Sequence, residues 1–279
     1  MSSGSTNPTA ARLSNRQRAP FRVASCLAPH LYRFYRCVAH ALGDALSTRA
    51  QFLGDVAYKD LAEIDAAFIC SLAYLEYPEV ACRFEPVAAP VLVGPRYGDQ
   101  PVYYSDVIVR SSSGLRCFAD LRGRSWAFNE PYSQSGYGVT RYHLARLGTG
   151  GGYFSRVVEA GSHDQCIRLV AAGMVDAAAI DSHVLETYLA AKPELIRSLR
   201  VIGSLGPSPI QPVVVRRNFS RRGKEKVRAA LVNLVKRRDC RDSMSRALVA
   251  RFVPVDDSTY NPVRIMRDVA HAAGLAVLR

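Results

Sequence analysis

Short apolar runs alternate with amphipathic stretches along most of this chain, and that alternation predicts an α/β fold. Two turn-rich passages, GPRYGDQP at residues 94–101 and GPSPIQP at residues 206–212, split the alternation into two groups. The expected architecture is two lobes, each a mixed, mostly parallel sheet flanked by helices, joined by two hinge crossings. Residues 21–100 with 206–279 would form lobe 1, residues 101–205 lobe 2, and residues 1–20 a disordered tail.

The pattern predicts a strand at residues 21–27, then a helix at 31–46 with Leu31, Phe34, Tyr35, Val38 and Leu42 at helical spacing. A strand at 52–53, a short helix at 58–64, a strand at 66–70, a helix at 73–82 and a strand at 87–93 complete the first group. Residues 102–110 read as a strong strand, 115–121 as a helical turn and 125–128 as a strand. A helix at 138–147 closes at Gly148. The strand at 157–158, helix at 164–173, strand at 177–180 and helix at 182–191 follow. After extended residues 201–202 and the second crossing come a strand at 213–215 and a basic helix at 224–236. Helices at 241–252 and 262–273 return to the first core.

The chain is 48% hydrophobic and 22% charged, as a folded globular protein requires. Its seven cysteines, Cys26, Cys37, Cys70, Cys82, Cys117, Cys166 and Cys240, are scattered singly, which suits reduced core thiols better than a disulfide framework. No zinc-ligand spacing occurs, and neither metal nor cofactor is expected. A net charge of +13 would suit nucleic acid, acidic lipid or an anionic small molecule. In the densest region, residues 216–238, the cations alternate with Val227, Leu231, Leu234 and Val235, so they form the solvent face of an amphipathic helix. Without a stacking platform or a recognised motif, no nucleic-acid partner is expected. Residues 1–20 lack the apolar core of an export signal. The sequence as it stands is expected in the cytoplasm, and in the periplasm if its true start lies elsewhere or a leader has been removed.

The chemistry concentrates in Asn129-Glu130-Pro131-Tyr132-Ser133-Gln134-Ser135-Gly136, between a strand and a helix start. Helix N-termini stabilise anions through unpaired N–H groups and the macrodipole. Ser133 and Ser135 add hydroxyls, either of which can instead serve as the helix cap, and Gly136 permits close approach. Ser71, His163 and Asp181 also follow strands and can face the same cleft. Asp181 can cap the helix behind it, contact a ligand, or do both.

Three linked stretches, YYSDVIVR, FADLRGRSWAFNEPYSQSGY and AGSHDQCIRLVAAGMVDAAAIDS, resemble the phosphonate-binding (PhnD-like) substrate-binding proteins of ABC transporters. The resemblance covers residues 21–275 and implies the type II periplasmic-binding-protein fold. It implies capture of a small phosphonate, phosphate ester or related oxyanion by a monomer, with an ABC-transporter permease as partner. By the same resemblance Ser133, Gln134 and Ser135, with Gly136, would hold the anionic head. Tyr103 or Tyr104 would line the cleft, with Tyr103 preferred. A protonated His163 would assist, so that affinity falls as pH rises through its pKa. Asp181 would hold a polar or cationic ligand group. The family's first-lobe G-P-x-x-Y stands here as Cys70-Ser71-Leu72-Ala73-Tyr74, keeping only Tyr74. Tyr58 and Tyr137 are weaker candidates, and Trp126 reads as core. A cytoplasmic enzyme of menaquinone- or thiamine-precursor biosynthesis on the same fold is the alternative, and a basic regulatory sensor the third reading. No catalytic motif supports an enzyme, although Ser135, His163 and Asp181 could be drawn as a triad.

Overall fold

Strand β1 (Phe21–Ser25) buries Phe21, Val23 and Ala24. Helix α1 (Tyr32–Leu46) then buries Phe34, Tyr35, Val38, Ala41 and Leu42 and leaves Arg33, Arg36 and His40 exposed, as a single apolar stripe dictates. It stops at Ser47, whose left-handed φ of 52° turns its amide back onto the Gly43 and Asp44 carbonyls. In this computed structural model residues 19–278 are described, so the expected tail falls, but for its last two residues, outside the described residues.

β2 (Ala50–Leu53), β3 (Ala66–Phe68), α2 (Ser71–Glu76), α3 (Pro78–Arg83) and β4 (Phe84–Leu92) follow. Where one helix was expected over residues 73–82 there are two, because Pro78 lacks an amide and begins a new helix at its first position. The second group comprises β5 (Val102–Arg110), β6 (Ser125–Phe128), α4 (Val139–Arg146), β7 (Arg156–Glu159), α5 (His163–Ala171), β8 (Ala177–Asp181), α6 (Ser182–Ala191) and β9 (Leu199–Pro209). The chain closes with β10 (Val213–Arg216), α7 (Arg221–Val232), α8 (Arg241–Arg246), β11 (Val249–Pro254) and α9 (Asn261–Ala272).

Two sheets result, in the orders β11-β4-β10-β3-β1-β2 and β7-β6-β8-β5-β9. Both are mixed. β1 runs parallel to β2 and β3, and β6 to β7 and β8. The remaining pairings are antiparallel, a larger share than the alternation implied. β5 and β9 pair along their length, including Val102 with Pro209, so the start of the second crossing is itself strand. Alternation along β5, β6 and β8 splits the second core in two. Val107, Val109, Trp126, Phe128, Ala177 and Ala179 lie on one face, and Ile108, Ala127, Ala178 and Ile180 on the other.

Three expectations are corrected. The helix foreseen over residues 241–252 ends at Arg246, and Leu248, at φ 52°, turns the chain into β11 on the edge beside β4. The run VARFVP then follows strand rather than helix preference, burying Val249 and Phe252. The last helix does not return wholly to the first core, since Ala270, Leu275 and Leu278 pack with Tyr137, Val139 and Leu144 of the second. The thiols are not all reduced: Cys37 on α1 and Cys240 before α8, 203 residues apart, form a disulfide. Only the packing of α1 against residues 238–240 brings them together, so their spacing carried no signal.

Trp126 is fully buried and stacked on Phe154 at 4.7 Å between centroids. Trp126→Ala should lower the unfolding free energy by about 3–5 kcal/mol, read from urea denaturation followed by circular dichroism. A loss under about 1 kcal/mol would contradict this packing.

Candidate functional site

Strand β6 delivers the chain into the 129–136 loop, and the loop is held by its own hydrogen bonds. Ser133 Oγ accepts from the Gly136 amide at 3.0 Å, capping a π-helical turn (Gln134–Gly138) that leads into α4. The Ser133 carbonyl accepts from both Tyr137 and Gly138 amides, at 3.2 and 2.9 Å. Such turns are rare and need a local reason. Here the reason is close packing, for a Cβ on Gly136 would lie 2.1 Å from Asn129 Oδ1. Of the two serines open as caps, Ser133 is the cap. Ser135 Oγ lies 3.3 Å from Ser133 Oγ and 2.8 Å from His163 Nε2.

These groups border a cavity of about 340 Å³ between the two sheets. Ser133, Ser135, His163 and Asp181 all line it. Of the roles open to Asp181, the helix cap is the one observed. Its Oδ1 accepts from the His183 and Val184 amides as the cap of α6, and its Oδ2 accepts from Gln211 Nε2. Burial raises its carboxyl to about 6, against the opposing pull of the Gln211 and amide bonds.

The other candidates stand back from the cavity. Tyr103 is fully buried and does not line the cavity, and neither its hydroxyl nor that of Ser71 has a hydrogen-bond partner among the described residues. Tyr104 faces the other way, under the Arg96 guanidinium. The Gln134 side chain turns towards Ser208 and Met266, while its amide donates to Cys70 Sγ at 3.2 Å. Gly136 contributes its amide to Ser133 and does not line the space. Tyr74 donates to Asp257 and packs edge-on to Tyr260 inside the first lobe, away from the cavity. Tyr137 likewise lies in the second core.

His163 differs from the expectation of a cation. The residue is half-buried, with Nδ1 shielded and unpartnered among the described residues, and desolvation, reinforced by nearby His30, lowers its pKa to about 3. With only the protein's own groups around it the imidazole is neutral at physiological pH. A triad is also absent. Both Asp181 oxygens are engaged elsewhere, nothing orients His163 Nδ1, and an imidazole of this pKa is a weak base.

Of the opposite wall, sequence reasoning named only Tyr58, as a weaker candidate. Tyr58 donates to Glu130 Oε1 at 2.9 Å across the cleft, and burial raises the Glu130 carboxyl. His30 Nε2 lies 2.9 Å from Thr187 Oγ1, with Nδ1 3.8 Å from Asp164, and Gln211 reaches Asp181 from the second crossing. Signals existed for two of these, since Glu130 lies inside the singled-out loop and Gln211 is a polar residue in a Pro-rich crossing. His30 after a turn proline gave none. The cavity is lined by the carboxylates Asp55, Glu130, Asp164 and Asp181, and by no arginine or lysine among the described residues.

Two mixed sheets flanked by helices, with a polar cleft between them, define the type II periplasmic-binding-protein fold. The family described as ABC transporter, phosphonate, periplasmic substrate-binding protein matches residues 62–260, and the chain belongs to it. The phosphonates-binding periplasmic protein of Escherichia coli K12 is 28% identical over 169 residues, 59% of this chain and 50% of that protein. The match thus spans about half the length of that curated relative. A binding-protein component of an ABC phosphonate transporter from Pseudomonas aeruginosa superposes with a TM-score of 0.79 at 20% identity, covering 92% of this chain and 88% of that one. PhnD1 of Prochlorococcus marinus, in complex with methylphosphonate, superposes with a TM-score of 0.77 at 16% identity, covering 91% and 98%.

The raised Asp181 carboxyl fixes a sign. Its folded-state pKa of about 6 exceeds the unfolded value, so its contribution to stability is full below about pH 4 and lost as pH rises through about 6. Asn at this position can keep the helix cap without the charge. The stability of wild type relative to Asp181→Asn should therefore fall by on the order of 2 kcal/mol between about pH 4 and about pH 7, measured by urea unfolding. A flat difference would show that Asp181 titrates normally.

Proposed function

We propose that this protein is a non-enzymatic receptor that captures a small phosphonate or phosphate ester bearing a cationic group, and presents it to an ABC-transporter permease. The observation that carries this is the make-up of the cavity wall, which combines hydroxyl and imidazole groups at Ser133, Ser135 and His163 with four carboxylates. Because Ser133 Oγ already accepts from the Gly136 amide, its own proton is the one it can turn from Ser135 Oγ to an anionic oxygen. His163 lines the same wall, with Nε2 beside Ser135 Oγ. Neutral donors suffice in a closed cleft, where low dielectric strengthens each bond. The four carboxylates suit an ammonium on the ligand, which would restore the ionised form that burial disfavours at Glu130 and Asp181.

In this reading lobe 1 (residues 21–100 and 206–279) and lobe 2 (residues 101–205) close about the crossings, with α9 following lobe 2. Tyr58 to Glu130, Gln211 to Asp181 and His30 to Thr187 latch the closed form. Membership of the family and the Cys37–Cys240 bridge support the periplasm as the working compartment, since such bridges persist in oxidising surroundings. No specific observation favours the biosynthetic enzyme.

Calorimetry tests the reading. An aminoalkylphosphonate should bind more tightly than methylphosphonate by about tenfold or more, equivalent to about 1.4 kcal/mol. Its affinity should rise between about pH 5 and about pH 7 as Asp181 ionises, a rise that methylphosphonate lacks. Replacing both serines, Ser133→Ala with Ser135→Ala, should cost about 2–4 kcal/mol of binding for either ligand while the circular dichroism spectrum is kept. Silence towards every phosphonate, or undiminished affinity in the double variant, would refute the assignment.

A further inference from the structure

The charge of this molecule is not where its cavity is. Residues 216–251 hold thirteen arginines and lysines against three carboxylates, a net +10 of the total +13. Residues 1–18 hold the other three charges, and over the rest of the chain acids and bases cancel. The basic segment folds on the outside of the first sheet. α7 packs on α1, β4 and β11, and α8 packs on α1 and β11. Its apolar side chains Val227, Leu231 and Leu234 are fully buried, so the cations are left on the solvent side.

Many of these cations are not spent on internal pairs. Arg221, Lys224, Arg237 and Arg246 each meet a carboxylate. Arg222, Lys226, Lys236, Arg238 and Arg241 are exposed, and no carboxylate lies within 4.0 Å of any of them among the described residues. Unpaired like charges on one face repel one another, and an anionic partner relieves that repulsion.

We propose that the face formed by α7, residues 234–246 and the outer side of α1 docks on an anionic phospholipid surface. Three observations favour lipid over nucleic acid. The helices are pressed onto the sheet along their apolar sides, so none is free to enter a groove. No aromatic side chain of residues 216–251 is exposed, which removes base stacking. Val235, 48% exposed beside Lys236, offers an apolar contact at the headgroup boundary. Each cation held near an anionic leaflet adds a roughly equal increment of attraction, which salt screens. Such docking would keep a solute receptor near a membrane-embedded partner, and it does not depend on which solute is bound.

Flotation of the full chain with vesicles tests this. Protein should float with vesicles containing about 30% phosphatidylglycerol at about 50 mM salt, stay behind with pure phosphatidylcholine, and be released by about 300 mM salt. The variant Arg222→Glu, Lys226→Glu, Lys236→Glu, Arg238→Glu should lose at least about tenfold in bound fraction, with an unchanged thermal midpoint. None of these four side chains makes a hydrogen bond or ion pair within the described residues. Should that variant not fold, Arg222→Ala with Lys226→Ala supplies the same comparison with a smaller loss. Absence of wild-type flotation at low salt, or equal flotation of the variants, overturns the proposal. Tighter binding to duplex DNA than to the vesicles also overturns it, by giving the face to nucleic acid.

Discussion

The site depends on one hydrogen bond, from the Gly136 amide to Ser133 Oγ. It turns the chain from β6 into α4 through a π-helical turn, and it fixes both the direction of the Ser133 hydroxyl and the position of Ser135 beside His163. Glycine fits here because Asn129 Oδ1 occupies the space a methyl would need. Asn129 is itself held, since its carbonyl accepts from the Gly161 amide at 2.8 Å and Phe128 accepts from Ala160. The β6 end, the loop and the segment leading into α5 are thus one unit, and moving any part would leave buried polar groups without partners.

Polar groups of both signs are then sorted by depth. Inside the cleft the carboxylates of Glu130 and Asp181 are raised by burial and the imidazole of His163 is lowered by it, so burial favours the neutral form of these three groups. Outside, the arginines and lysines of residues 216–251 remain in water, where their charge costs little. A large net charge and a cavity without a lysine or arginine are therefore compatible. The overall charge reports on a surface, not on the ligand.

Much of the architecture was legible because burial imposes a period. Val107, Ile108 and Val109 alternate between two cores, and the α1 stripe recurs every three to four residues. The misreadings came where the period is ambiguous. Residues 241–252 contain apolar residues that fit either spacing over so short a run, and the left-handed turn at Leu248 decides for strand. Likewise α9 displays an apolar stripe without stating which core will receive it.

For the site, the chain order alone determined that Ser133, Ser135, His163 and Asp181 follow strands and belong at one cleft, because strand ends of an α/β sheet meet on one edge. Tertiary structure alone decided which way each side chain points and how each titrates. Gln134 and Tyr74 lie in or beside the right motifs but turn into the packing. Tyr58, Gln211 and His30 reach the cleft from distant segments. His163 becomes neutral, and Cys37 meets Cys240. The physical reason is common to all of these. Periodicity is a local property of the backbone, whereas side-chain direction, desolvation and pairing depend on neighbours that only the folded chain supplies.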